Sequence, residues 1–265
     1  MGRLDGKVAI VTGAAPRGDG IGNGKAMALL IAREGAKVLL VNRSAERAEA
    51  LAAEIAEEGG EASVFAADVT QSDEVAAMGR AVQERYGRLD ILCNNVGVGA
   101  GSGPNRVEDV SDEAWLNLVH VNMTSAMLCS RAAVPLMRDS GGGGSIINVS
   151  SIAGALGLMG SPGAAAYAAT KSGLHGLTLS IAADYATEQI RCNCIVIGSV
   201  ATPMVAGRGE EVRQRRIQMV PMQTEGTGWD VGWAAVYLAS DESRWVTGVF
   251  LPVDGGLCAL RAWPR

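Results

Sequence analysis

Tyr167 and Lys171 stand four residues apart in Tyr167-Ala168-Ala169-Thr170-Lys171. On a helix that spacing puts both side chains on one face, a turn apart. A phenol titrates near 10 and transfers protons poorly at neutral pH. An ammonium about 4 Å away, at an effective dielectric near 20, contributes about 4 kcal/mol, or about three pKa units, and brings the phenol toward 7. That is the range in which an acid-base catalyst works best at neutral pH. A tyrosine and a lysine one turn apart also arise by accident on many helices, so the pair needs a site around it.

A second grouping supplies one. Thr12-Gly13 closes an apolar, strand-like run, and Gly18, Gly20, Ile21 and Gly22 lead into an apolar-faced helix. Glycines let the backbone approach a pyrophosphate, and the first turn of a helix presents free N–H groups to an anion. The end of the second strand then selects the nucleotide, because a carboxylate there accepts the ribose 2′-OH and repels a 2′-phosphate. The chain has Asn42-Arg43 at that point and no carboxylate. Arg43 can pair with a 2′-phosphate, and Arg17 in the glycine-rich turn can reach the same region, so NADP(H) is expected over NAD(H). In the alternative, Arg43 stacks on the adenine and Asn42 binds the 2′-OH, which keeps NAD(H) open.

The rest of the composition removes other classes. Of 265 residues 48% are hydrophobic and 19% charged, the net charge is −5, and no basic cluster is interleaved with aromatics. A nucleic-acid partner is not expected. No apolar run approaches the roughly 18 residues of a membrane span, and the N-terminus enters a strand-like run without an apolar leader. A cytoplasmic chain without a membrane partner is the expectation. Cys93, Cys129, Cys192, Cys194 and Cys258 lack metal-ligand spacing and are expected as reduced core thiols, with Cys192 and Cys194 on opposite faces of a strand. Only His120 and His175 are available as histidine ligands, and no metal site is expected.

The elements that must position these groups alternate along the chain. Residues 7–12, 37–42, 62–67, 89–94, 145–150, 190–197 and 249–253 have strand character, the first six apolar enough to be buried on both faces. Helical patterns cover 23–34, 45–58, 72–86, 112–138, 164–187 and 229–239, with Ser44, Ser72 and Ser111 where N-caps belong. Strict alternation predicts an α/β fold: a single Rossmann-type, doubly wound domain over residues 1–265, with about seven parallel strands and helices on both faces. Residues 98–110 and 202–228 are the least regular, and both follow strand ends on the side where such sheets bind ligands. The second carries Arg208, Arg213, Arg215 and Arg216, either on a solvated helix or on a mobile substrate lid.

In order along the chain come Thr12-Gly13 with its glycine-rich turn, Asp68-Val69, Asn94-Asn95-Val96-Gly97, Asn122, Ser150-Ser151, Tyr167-x-x-x-Lys171, Gly198-x-Val200-x-Thr202 and Val253-Asp254-Gly255-Gly256. In this combination the chain resembles the short-chain dehydrogenase/reductase family over essentially its whole length. The resemblance implies that Tyr167 is the acid-base, that Ser151 hydrogen-bonds the substrate oxygen, and that Lys171 lowers the Tyr167 pKa and binds the nicotinamide ribose. It gives Asn122 a water that relays protons through Lys171. It further places Asp68 and Val69 at the adenine, Asn94 and Gly97 at the adenine ribose, and Val200 and Thr202 at the carboxamide, with Gly198 among the cofactor-binding residues.

The chain departs from the family pattern in four places. Six residues separate Gly13 from Gly20, so Pro16-Arg17-Gly18-Asp19 should bulge, with Gly20-Ile21-Gly22 as the matching end. Val96 stands where alanine is usual, and Ile197 replaces a proline, which should loosen the loop to the nicotinamide. Ser151 and Tyr167 are sixteen apart, so residues 154–163 should form a longer loop beside the substrate.

Other residues are expected to be structural: Ser150 at a strand end, His175 packed or at a subunit contact, Asp254 in the C-terminal turn, Trp229, Trp233 and Trp245 in packing, and Asp184 and Glu188 on a solvated helix face. Val98, Ala153, Leu156, Leu158, Met159, Met204 and Met219 are expected to line an apolar cleft, which suits an apolar ketone or secondary alcohol as the small-molecule substrate. A 3-oxoacyl thioester reductase, with residues 208–216 meeting carrier phosphates, is the alternative within the enzymes. A catalytically silent nucleotide sensor is the alternative outside them. The resemblance also implies a homotetramer built on the two long helices, with Leu257, Leu260 and Trp263 contributing.

Overall fold

The fold follows from seven short strands that stack in the spatial order 61–66, 37–42, 8–12, 91–94, 144–151, 190–197 and 250–253, every pairing parallel. The computed structural model describes residues 2–16, 18–99, 106–156, 164–207 and 209–260, the side chains of 204 and 206 excepted. The elements are β1 (Val8–Thr12), α1 (Asn23–Arg33), β2 (Lys37–Asn42), α2 (Ala45–Glu57), β3 (Glu61–Ala66), α3 (Ser72–Tyr86) and β4 (Ile91–Asn94). After these come α4 (Asp112–Val119), α5 (Ser125–Asp139), β5 (Gly144–Ser151), α6 (Ile152–Leu156), α7 (Ala165–Tyr185), β6 (Ile190–Ile197) and β7 (Val200–Ala201). The chain continues through α8 (Pro203–Ala206), α9 (Glu210–Met219), β8 (Gly226–Thr227), α10 (Gly228–Ala239) and β9 (Phe250–Val253). One apolar cluster packs the sheet against α1, α2 and α10, and a second packs its other face against α3, α5 and α7. Among the described residues no helix is long and apolar enough to cross a membrane.

The strand order reverses between β1 and β4. Their outgoing loops diverge there and leave a crevice at the carboxyl edge, the switch point at which open α/β sheets hold ligands. Local chemistry sets the helix ends around it. Ser44 and Ser111 accept hydrogen bonds from the N–H groups of Arg47 and Ala114, as N-caps do. Thr227 and Asp230 form a reciprocal capping box on α10, and Gly87 stops α3 at φ 72°.

Several expectations change. β3 is the edge of the sheet, so it is only partly covered rather than buried on both faces. Ser72 is the first residue of α3 and not its cap; its hydroxyl instead accepts from Arg131 at 2.9 Å. The pattern over 112–138 is two helices, because a π turn at His120–Thr124 shifts the bonding by one residue and Ser125 N–H reaches the His120 carbonyl. The first residues of the expected 154–163 substrate loop, 154–156, belong to α6. Cys192 and Cys194 share a face, as residues two apart on a strand must. Both lie beside Thr178, where burial pushes their thiols up.

Candidate active site

At the carboxyl end of β1 the chain turns through Gly13 at φ 62° and Gly20 at φ 104°, backbone conformations that glycine adopts without strain. Gly22 is the N-cap of α1 and provides no side-chain acceptor, so the N–H groups of the first turn face the crevice without a side-chain cap. Asn95 ties this turn to the β4 loop. Its Nδ2 donates to the carbonyls of Thr12 at 3.3 Å and Gly13 at 3.0 Å, and its N–H donates to Thr12 Oγ1 at 3.1 Å. A Cβ on Gly24 would overlap the Gly13 carbonyl, so this glycine sets how closely α1 approaches β1. Pro203 lies against Gly20, and Gly228 packs on Ile21 and Gly22. Arg17 lies outside the described residues.

The ends of β2 and β3 form a recess of about 260 Å³ lined by Arg43, Ala66, Ala67, Asp68 and Glu74. The Arg43 side chain is 58% exposed, with Nη1 3.8 Å from Asp68 Oδ2. Burial works to raise the Asp68 pKa, but two hydrogen bonds from Thr70 and the charges of Arg43 and His120 outweigh it and hold the carboxyl below its usual range. Asn42 donates to the carbonyl of Ser44 within its own turn. Val69 is buried in the core, so only its main chain can meet a ligand. Arg47, which the sequence did not single out, reaches from α2 to the Pro16 carbonyl at 3.4 Å and braces the bulged turn.

The reacting groups come from three elements. Ser151 ends β5, and its hydroxyl accepts from Ala153 N–H at 3.2 Å. Tyr167 and Lys171 lie on α7, which is fastened to the end of β5 by two bonds and to α6 by a third. Ser150 Oγ donates to the Lys171 carbonyl at 2.8 Å, Lys171 Nζ to the Val149 carbonyl at 2.9 Å, and Ser172 Oγ to the Gly154 carbonyl at 2.6 Å. Ser150 is therefore the strand-end bonder expected of it. Burial lowers the Lys171 pKa to about 8. Asn122 sits in the π turn, 1% exposed. Its Oδ1 accepts from Val98 N–H at 2.7 Å, and its Nδ2 donates to the Val98 carbonyl at 3.0 Å and to Thr170 Oγ1 at 3.2 Å. Only one lone pair of Oδ1 is left for another partner. A Cβ on Gly97 would stand 3.2 Å from Lys171 Nζ and 3.3 Å from Asn122 Oδ1, so this glycine sits where loop, lysine and asparagine converge.

Asn94 turns its side chain into the core. Its side chain does not face the crevice but donates to Asn148 Oδ1 at 2.9 Å, Ser130 Oγ at 3.1 Å and the Ala126 carbonyl at 3.4 Å inside the core. As the last residue of β4 it points toward α5, and the next residue, Asn95, is the one that reaches the nucleotide turn. At the other end of the site a Cβ on Gly198 would meet the Asp254 backbone at 2.6 Å. Asp254 accepts from the N–H groups of Gly256 and Cys258 and so fixes the C-terminal turn. Val200 lies in the β7–β8 ribbon, paired with Gly226, and Thr202 is the N-cap that precedes α8.

The expected cleft is only partly assembled. Val98 is half-buried and Ala153 buried, whereas Leu156 and Met219 are exposed; Leu158 and Met159 lie outside the described residues, as does the Met204 side chain. The three described arginines of this stretch already face carboxylates. Arg213 pairs with Glu225 and Glu210, Arg215 with Glu211, and Arg216 with Glu225, while Arg208 lies outside the described residues. His175 is packed, stacked on Phe250 at 4.5 Å. Glu188 is bound to Arg138 at 2.6 Å rather than merely solvated. Trp229 packs under Arg33, but Trp245 is 91% exposed, since it lies beyond the end of α10 where nothing in the described chain covers it. Among the described residues no group of three or more His, Cys, Asp or Glu is placed to hold a metal ion.

A protein-family model described as enoyl-(acyl carrier protein) reductase matches residues 13–258. The chain is 35% identical to a 3beta-hydroxysteroid dehydrogenase of Mediterraneibacter gnavus, covering 97% of this chain and 96% of that one. It is also 35% identical to a 3-oxoacyl-[acyl-carrier-protein] reductase FabG of Thermotoga maritima, over 96% and 99% of the two chains. A crystal structure from Burkholderia xenovorans, assigned to the short-chain dehydrogenases/reductases, superposes with a TM-score of 0.92 at 37% identity, covering 99% of this chain and 100% of that one.

Proposed function

The chain belongs to the short-chain dehydrogenase/reductase family, oxidoreductases of carbonyl and CH–OH groups that use NAD(P), and on that premise we propose that it is an NADPH-dependent reductase of an apolar ketone. The observation that carries the chemistry is the seam between β5 and α7, which sets Ser151 beside the turn bearing Tyr167 and Lys171.

The crevice suits a nicotinamide dinucleotide. Support comes from the uncapped first turn of α1, the positive-φ glycines and the recess beyond β2. The main chain at Gly13, Gly20, Ile21 and Gly22 would hold the pyrophosphate, and Asp68 and the Val69 backbone the adenine. Gly97 and Lys171 would hold the riboses, and Gly198, Val200 and Thr202 the carboxamide. Such a dinucleotide supplies the hydride when bound. In reduction, Tyr167 gives its proton to the carbonyl oxygen, and Ser151 orients that oxygen by donating to it. Lys171 stabilises the phenolate left behind, and Asn122 would anchor the water that relays the replacement proton through Lys171.

The preference for NADP(H) rests on Arg43, exposed at the end of a second strand that has no carboxylate. Nη1 pairs with Asp68 at 3.8 Å, and the remaining donors of this half-exposed guanidinium can meet a 2′-phosphate. A 3-oxoacyl thioester reductase is the second reading, favoured by the Thermotoga relative. The ion pairs of Arg213, Arg215 and Arg216 count against carrier phosphates at that helix. Assays of NADPH oxidation with a free ketone and with its thioester decide between them, and a strong preference for the thioester overturns the first. If neither is turned over while nucleotide still binds, the silent sensor is the correct reading.

Self-assembly into a homotetramer is part of the same proposal. Trp115, Leu116, Leu179 and Trp245 are exposed, and a cavity of about 380 Å³ opens between Met123 and Met127 on one side and Gly176 and Leu177 on the other. Apolar surface of this kind marks an interface. A stable monomer by light scattering removes the expectation.

A further inference from the structure

We propose that Glu225 is a positioning residue that latches α9 to the loop carrying Val200. The inference rests on the reading above, in which that loop meets the nicotinamide end of the nucleotide. No side chain of α9 is fully buried and Ile217 is its one half-buried apolar residue, so apolar packing does little to hold it in place. Its C-terminal end is anchored by Val220, buried against Gly255, and by Met222 N–H bonded to the Gly255 carbonyl at 3.2 Å. What fastens the body of the helix is charge. The Glu225 side chain is 5% exposed; its Oε2 accepts from Arg213 Nε at 2.8 Å, and its Oε1 forms an ion pair with Arg216 Nη1 at 3.0 Å.

Arg216 gives the latch its consequence. Its second terminal nitrogen, Nη2, donates to the Val200 carbonyl at 3.1 Å. One planar fork therefore joins the helix, the buried carboxylate and the main chain of β7, a geometry that lysine cannot reproduce. Glu225 directly precedes β8, whose Gly226 pairs with Val200 and donates its N–H to the Ser199 carbonyl at 3.0 Å. Displacing α9 pulls on the carbonyl that orients this ribbon, and ordering the ribbon around a nucleotide fastens α9 in return. A carboxylate this buried loses its compensation when either arginine leaves, so the latch has a closed and an open state with little between them.

Trypsin reads this directly, because Arg213, Arg215 and Arg216 are its sites on α9 and cleavage requires local unfolding. In Glu225→Gln, cleavage within α9 is expected to be faster than in the parent by about tenfold. Saturating NADP(H) should slow cleavage in the parent and lose that effect in the variant. Arg216→Gln, which breaks the latch from its outer end, should behave alike at Arg213. Glu211→Gln removes only the exposed pair with Arg215 and should leave the rate unchanged. Equal cleavage of Glu225→Gln and Glu211→Gln overturns the latch, and undiminished nucleotide protection in Glu225→Gln overturns its coupling to the nicotinamide loop. A kinetic split accompanies the open state: KM for the carbonyl substrate rises about tenfold with the melting temperature little changed. Nucleotide affinity, followed by fluorescence on the same samples, separates this idea from the functional reading. A parent that binds no nucleotide loses that reading, and the Glu225→Gln cleavage rate still decides the latch.

Discussion

Lys171 Nζ lies 5.8 Å from the centre of the Tyr167 ring and donates to the Val149 carbonyl at 2.9 Å. The ammonium is thus held by the strand that delivers Ser151, within electrostatic reach of the phenol and out of bulk water.

Burial brings the Lys171 pKa to about 8, below the 10.5 of the free side chain. Above that value the cation that stabilises the Tyr167 phenolate is lost. We expect kcat/KM for the nucleotide, which reports the free enzyme, to fall as pH rises through about 8. Stability moves the other way. Between the folded and unfolded pKa values the unfolded chain binds the extra proton, so this group's contribution rises with pH across that window. Denaturant midpoints of the parent and Lys171→Met, compared from pH 7 to pH 10, should shift in the parent's favour, and a constant difference contradicts the assignment.

Tyr167→Phe keeps the ring and removes the proton donor. Turnover should drop by about a thousandfold. The dissociation constant for the nucleotide, from fluorescence titration, should stay within about threefold, since the phenol's task is chemistry rather than grip. A variant that retains turnover refutes the role.

Arg43→Ala tests the cofactor preference. A charge-assisted bond to a 2′-phosphate is worth about 1.5–3 kcal/mol, so the NADPH-to-NADH ratio of kcat/KM should fall by about tenfold to a hundredfold. A parent that already prefers NADH sinks the argument.

Gly97→Ala would set a methyl group 3.2 Å from Lys171 Nζ and 3.3 Å from Asn122 Oδ1. Both groups must give by a few tenths of an ångström, and both are positioned for proton transfer. Activity should fall by about tenfold or more while thermal unfolding shifts by only a few degrees, because the strain is confined to the site. Equal losses of activity and of folded protein would point to a general packing defect instead.

Much of this architecture was legible along the chain. Apolar runs of strand length alternating with helical periods were enough to place β1, β2, β4, β5, β6 and β9 within a residue or two, because those patterns record which faces must leave water. The glycine-rich turn and the Tyr167/Lys171 pair were legible for the same kind of reason, since backbone permissiveness and helical spacing are local properties. Ser44 and Ser111 were recognisable as caps, whereas Ser72 was not, since a neighbouring Gln71 takes the cap position and Arg131 the hydroxyl.

What the tertiary structure decided is who stands opposite whom. Asn94 and Asn95 are adjacent and chemically identical, yet one is buried against Asn148 and Ser130 and the other braces Gly13. The π turn that brings Asn122 onto Val98 leaves no mark in helical periodicity. The arginines of α9 carry no local signal of their partner, because Glu225 lies beyond the helix and only the fold sets it between Arg213 and Arg216. The sequence by itself determined which groups could react and which backbone could turn. Only the fold determined which charges were already neutralised and which side chains faced the crevice, because pairing energies depend on distance through space and on burial, and neither is a property of spacing along the chain.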